Sequence, residues 1–235
     1  MRYGSGAVLA LGFAAVIAAV VSAQQAPAAQ GQAAQRQPMS FFITSVGIGR
    51  GGDLGGLAGA DAHCQMLAAA AGRGDVTWRA YLSTQGPNAV NARDRIGNGP
   101  WYGATGQIIA RDLGHLHGDT LEQARMGNGL HQLHAVNEKG EIVPGRVGGP
   151  GAPPSVHDIM TGSQADGRAY PAGMDQTCSN WTSSAEGMGS ARLGHFDRVG
   201  ADNNSWNSTH ATRGCSQANV SRGGGAGFFY CFAVN

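Results

Sequence analysis

Charge is scarce in this chain, and what there is cancels: 13% of the residues are charged and the formal net charge is +1. That balance offers no basic footprint for nucleic acid and no polybasic patch for an anionic membrane. The four cysteines include no Cys-x-x-Cys pair, which removes a zinc knuckle and a thioredoxin-like redox site. Neither Gly-x-Ser-x-Gly nor His-Glu-x-x-His occurs, so the common hydrolase nucleophile and zinc-protease signatures are missing. Beyond the N-terminal region no apolar run approaches the roughly 20 residues a membrane span needs. On these grounds the chain is expected not to be an enzyme, with no catalytic residues, no metal ligands and no cofactor.

Glycine, by contrast, is abundant, at 39 of 235 residues. Many glycines and few charges disfavour long surface helices and favour a loop-rich fold with tight turns. The N-terminus opens with Met1-Arg2, continues with an apolar run from Ala7 to Val21, and reaches the small residues Val21-Ser22-Ala23. This pattern predicts a secretory signal peptide over residues 1–23, cut after Ala23. Residues 24–38 hold Gln, Ala, Pro and Gly with no large apolar side chain, so a disordered linker is expected there. One domain, 39–235, follows. The expected location is secreted, or periplasmic and cell-surface. Four cysteines in an oxidising compartment point to two disulfides, and spacing leaves all three pairings open.

Within the domain, Met39 to Ile48 reads as a first strand. Leu57, Ala60, Cys64, Leu67 and Ala71 recur at three and four residues and predict a helix over 57–71, stopped by Gly72. A second strand is expected over 76–83, with Arg73-Gly74-Asp75 as the turn before it. Residues 88–119 read as irregular chain with a short strand at Ile108-Ile109-Ala110. A hairpin is expected over 135–143, a core strand over 156–162 and a polar loop over 163–177. Three short strands are expected near 179–183, 193–199 and 228–233. The last of these closes on Phe228-Phe229-Tyr230-Cys231-Phe232, an apolar run suited to pinning the chain end into the core.

Two histidine patterns invite metal chemistry: His115 with His117, and His131 with His134. Ligation needs neutral imidazoles converging from rigid elements, but no nearby Cys or Glu completes a ligand set. His195 and Asp197, two apart on a predicted strand, would point the same way, as a His–carboxylate pair or a buried ion pair. The stretch Asp202-Asn203-Asn204-Ser205-Trp206-Asn207-Ser208-Thr209-His210 combines an aromatic face with planar polar groups, the chemistry that holds sugar hydroxyls. Asp202, Asn203, Asn204, Trp206, Asn207 and His210 are therefore the candidate ligand-binding residues.

Several motifs carry a resemblance. Gly59-Ala60-Asp61-Ala62-His63-Cys64 followed by Trp78-Arg79-Ala80-Tyr81-Leu82-Ser83 is similar to the opening of endostatin, the C-terminal domain of collagens XV and XVIII. Thr161-Gly162-Ser163, Gly167-Arg168, Cys178-x-x-Trp181-x-Ser183 and Tyr230-Cys231 follow in the family's order. The runs Ser205-Trp206-Asn207-Ser208 and Arg213-Gly214-Cys215-Ser216 resemble secreted bacterial lectin-like proteins. The resemblance spans about residues 40–235 and implies an α+β, C-type-lectin-like fold: a twisted antiparallel sheet, two helices, long loops and nested disulfides Cys64–Cys231 and Cys178–Cys215. It implies glycan binding as the role, with surface protein binding or adhesion as the alternative. The calcium-binding triplets of such lectins are absent, and Ser208 stands where Trp-Asn-Asp would carry its carboxylate. Glycan contacts would then be direct, without a calcium ion. The partner would be a glycan or a cell-surface protein.

Overall fold

The computed structural model describes residues 1–4, 36–147, 150–199 and 205–234. Most of the signal peptide and most of the linker expected from the sequence lie outside the described residues. Among the described residues no helix is long and apolar enough to cross a membrane. Residues 36–235 form one compact unit, and its elements follow in order. They are β1 (Phe41–Ile43), α1 (Gly56–Ala70), β2 (Trp78–Ala80), a 3-10 turn (Ala92–Arg95), β3 (Trp101–Tyr102), β4 (Ile108–Ala110), α2 (Leu113–His117) and α3 (Leu121–Met126). Then come β5 (Asp158–Met160), α4 (Cys178–Trp181), β6 (Leu193–His195), α5 (Gln217–Ser221) and β7 (Gly225–Ala233). The fold is mixed α+β, with a five-stranded sheet and a separate β3–β4 pair.

The aromatic run at the chain end explains this sheet. β7 carries Phe229, Tyr230 and Phe232 fully buried, and its burial on both sides marks it as an interior strand. Its C-terminal half takes β1 and β2 as antiparallel partners, with Cys231 opposite both Phe42 and Ala80. Its N-terminal half runs parallel to β5, which in turn pairs antiparallel with β6. Gly225 faces Asp158, but the next pair is Phe228 with Ile159. The extra β7 residues form a bulge at Gly227, whose φ of 76° favours glycine.

Helix α1 packs against β2 through Ala60, Cys64, Leu67 and Ala68. The predicted stripe holds at its centre and shifts at its end, since Ala71 is exposed. Gly72 (φ 77°) ends the helix, and Arg73 N–H reaches back to the Ala68 carbonyl at 2.8 Å. Asp61 locks the helix to the strand by accepting from Ala80 N–H at 2.9 Å and from the buried Arg95 at 2.7 Å. The expected hairpin at 135–143 is present as a Val136–Ile142 bridge. Residues 88–119 are more regular than expected, containing the 3-10 turn, the β3–β4 pair and α2.

One expected strand is overturned. Residues 179–183 are not extended. Cys178, Ser179, Asn180 and Trp181 have φ of 47°, 55°, 58° and 66°, a left-handed turn of non-glycine residues. Each such residue costs about 1–2 kcal/mol, so the surroundings must enforce it. Asp175 accepts from Ser179 N–H at 2.8 Å, Asn180 Oδ1 accepts from Gln85 N–H at 2.7 Å, and the Trp181 indole donates to the Ser83 carbonyl at 2.8 Å. The strand expected over 193–199 also stops early, at His195.

Two disulfides, Cys64–Cys231 and Cys178–Cys215, close loops of 167 and 37 residues. The first ties α1 to β7; the second fixes the left-handed turn. In the chain-entropy account they contribute roughly 5 and 4 kcal/mol. Replacing Cys64 and Cys231 together by Ala is therefore expected to lower the urea-unfolding free energy by about 4–5 kcal/mol, more than the Cys178/Cys215 double replacement. Equal or reversed losses would contradict the loop ordering.

Candidate functional site

Asp202, Asn203 and Asn204 lie outside the described residues. Trp206 and Asn207 are buried, at 4% and 0% exposure. The Trp206 ring lies 4.9 Å from Tyr81, 5.2 Å from Tyr230 and 5.9 Å from His117, centroid to centroid. The Asn207 amide donates to the Tyr81 hydroxyl at 2.9 Å and to the carbonyls of Gln164 and Ala165, both at 3.2 Å. It thereby ties the polar loop 163–177 to the core. Both side chains also line a small cavity of about 130 Å³ that includes His115, His117 and Arg198.

The histidines of 115–134 spend their ring nitrogens on the backbone. His115 Nε2 donates to the Gly127 carbonyl at 2.9 Å, and its Nδ1 accepts from Arg111 N–H at 3.2 Å. His134 Nδ1 donates to the Gly129 carbonyl at 2.8 Å. His117 Nδ1 donates to the Leu113 carbonyl at 2.9 Å, which leaves Nε2 to accept from the Tyr81 hydroxyl at 2.8 Å. Burial disfavours the imidazolium and pulls the His117 pKa down to about 4. The same burial holds the Tyr81 phenol neutral, its pKa pushed up.

A different group of histidines converges. β5 and β6 place Asp158 directly opposite His195, the arrangement that brings cross-strand side chains together. His157 precedes the regular pleat of β5, and its ring stacks on that of His195 with centroids 4.0 Å apart. His195 does not pair with Asp197, because β6 ends at His195 and Asp197 turns to another partner. The Asp197 carboxylate accepts from His157 Nδ1 at 2.9 Å and 3.0 Å, and from Arg146 N–H at 2.7 Å. His195 Nδ1 donates to the Val199 carbonyl at 2.9 Å.

Asp158 sits at the centre of this group. Its Oδ1 has His195 Nε2 at 2.9 Å, His157 Nε2 at 3.3 Å and His210 Nε2 at 3.6 Å. Yet both carboxylate oxygens are buried without a directed hydrogen bond. Burial pushes this carboxyl up, but the imidazoles of His195, His210 and His157 outweigh it and hold the group at about 2. His157, Asp158 and His195 are the residues with ligand atoms close enough for a metal, all within 4.8 Å of one another among the described residues.

His210, a predicted candidate, links this cluster to solvent, with 36% of its side chain exposed. It forms a wall of an open cavity of about 450 Å³, together with Thr212, Arg213, Asn219, Arg222 and Gly223. Arg213 and Arg222 are exposed and have no salt bridge among the described residues. A volume of this order suits a small ligand, and two unpaired guanidiniums suit an anionic one.

His157 and Asp158 are not among the candidates expected from the sequence, where 156–162 reads as a core strand. The available signal was two adjacent ionisable residues inside Val156-His157-Asp158-Ile159-Met160, where unpaired charge is costly. No protein-family model matches this chain, and no curated protein matches it.

The His117 shift has a measurable consequence. Its folded pKa, about 4, lies below the ordinary imidazole value of 6.5. The unfolded chain therefore takes up the proton first, so the stabilisation is complete above pH 6.5 and lost as pH falls toward 4. Allowing for partial exposure of the ring, the loss is roughly 2 kcal/mol. Urea titrations at pH 7 and pH 4.5 are expected to show this loss in the native chain and to show less of it in His117→Gln. An unchanged pH slope in the variant would contradict the assignment.

Proposed function

We propose that the chain is an exported binding module of the C-type-lectin-like class that takes an acidic glycan in the cavity beside His210. The observation that carries this reading is a pair of exposed guanidiniums, Arg213 and Arg222, without a salt bridge among the described residues, at a cavity of about 450 Å³. A guanidinium fork matches a sugar carboxylate or sulfate in geometry and charge. His210 and Thr212 on the same wall supply hydrogen-bonding groups for hydroxyls. The lectin-like reading is further supported by nested disulfides that tie the first helix to the last strand and the long loop 205–216 to the turn at Cys178. Two disulfides also suit an oxidising compartment outside the cytoplasm.

Binding in this cavity would be direct. Among the described residues lining this cavity no carboxylate supplies the oxygen-rich ligand set that calcium takes, and the guanidiniums would repel a cation. A glycan array probed with the oxidised full chain is expected to show carboxylated or sulfated glycans ahead of neutral ones, equally in calcium-free and calcium-containing buffer. Replacing Arg213 and Arg222 together by Ala should weaken that binding at least tenfold, about 1.4 kcal/mol. Equal binding of neutral glycans, or binding to protein baits alone, would replace this reading with a protein-adhesion role.

A further inference from the structure

We propose that His157, Asp158, His195 and His210 form a zinc-type metal site, assembled between β5, β6 and the loop that follows β6.

His157 Nδ1 faces the Asp197 carboxylate and His195 Nδ1 faces the Val199 carbonyl. Both partners are acceptors only, so both Nδ1 atoms carry the proton. This leaves Nε2 of each ring facing Asp158 Oδ1, at 3.3 Å from His157 and 2.9 Å from His195. The Asp158 carboxylate is itself only an acceptor when ionised, and its two oxygens lack a directed donor. A buried carboxylate ringed by imidazole nitrogens is an arrangement that a cation at that point would satisfy.

Four of the six separations among the proposed ligand atoms match a tetrahedral centre. Four ligand atoms about 2.0 Å from zinc stand about 3.3 Å from one another. The observed separations from Asp158 Oδ1 are 3.3 Å to His157 Nε2, 2.9 Å to His195 Nε2 and 3.6 Å to His210 Nε2. His195 Nε2 and His210 Nε2 are 3.0 Å apart. These distances bracket the edge of that tetrahedron. Three imidazoles and one carboxylate form a borderline donor set of the kind zinc takes, and calcium and magnesium prefer more oxygen.

The supporting shell is also in place. A carboxylate holding the far nitrogen of a ligating histidine fixes its tautomer and raises its basicity, and Asp197 stands in that relation to His157. The backbone of Gly224 passes so close that an added Cβ would lie 3.0 Å from His157 Cδ2 and 3.3 Å from its Nε2. A side chain there would crowd the ligand. His210, with 36% of its side chain exposed, brings one ligand of the site to the solvent edge.

This site does not depend on the glycan reading. The test uses the oxidised, untagged full chain, stripped with a chelator and given zinc. It is expected to retain one zinc per chain through desalting, with a sub-micromolar dissociation constant by competition with a chromophoric chelator. Asp158→Asn and His195→Gln should each weaken binding at least a hundredfold. Asp197→Asn should keep the stoichiometry and weaken it by about ten- to a hundredfold, and Arg222→Ala should leave it unchanged. Since the buried variants could fail to fold, cobalt(II) added to the native chain is a second readout. Intense visible absorption of four-coordinate cobalt supports the site. Failure of the native chain to retain zinc, equal binding by the Asp158 and His195 variants, or the weak spectrum of six-coordinate cobalt would each overturn it.

Discussion

Strand β7 is the constraint on which the rest of the structure depends. It is the strand that β1, β2 and β5 all use as a partner. Its Cys231 is bonded to the first helix, and its aromatic side chains meet Phe41, Tyr81, Trp101 and Trp206. A loop-rich chain gains little from helix propensity or long ladders. A shared central strand lets short segments, three residues each for β1, β2, β5 and β6, bury their backbone groups in one sheet. The bulge at Gly227 then fixes how β5 lies on β7, and with it the position of Asp158.

That position turns a packing solution into a chemical one. A chain with few charges buries His157, Asp158, His195 and Asp197 together. Buried ionisable groups are costly unless each is matched, and here two, His157 and Asp197, match each other while His195 is matched by the backbone. Asp197 satisfies His157, and Val199 satisfies His195, while Asp158 is left facing ring nitrogens. The cavity beside His210 borders the same cluster, so the polar interior and the cationic rim of Arg213 and Arg222 meet at one wall.

The sequence made some of this legible and hid the rest for physical reasons. Helix α1 shows in the spacing of Ala60, Cys64 and Leu67, because one face of a helix must meet the core. β7 shows in its aromatic run. The pairing of the cysteines came from the resemblance, since spacing alone allowed three arrangements. The turn at Cys178–Trp181 was hidden because only Asn180 in Cys-Ser-Asn-Trp tolerates left-handed backbone; backbone groups far along the chain, at Gln85 and Ser83, hold it. Asp197 was read as a partner of His195 because alternation along a strand was assumed to continue past the point where β6 ends. His157 and Asp158 were hidden by their apolar neighbours, and His210 was found only as a possible ligand contact. The residues that converge are 157, 158, 195 and 210, a set joined by sheet topology with no local spacing to announce it.

The most direct test of this account is anomalous X-ray scattering at the zinc edge, from crystals of the oxidised chain grown with zinc. The account predicts one strong peak bonded to Nε2 of His157, His195 and His210 and to an Asp158 oxygen, with Asp197 behind His157. A peak elsewhere, or a water or direct imidazolium–carboxylate hydrogen bonds occupying that point in zinc-soaked crystals, would contradict it.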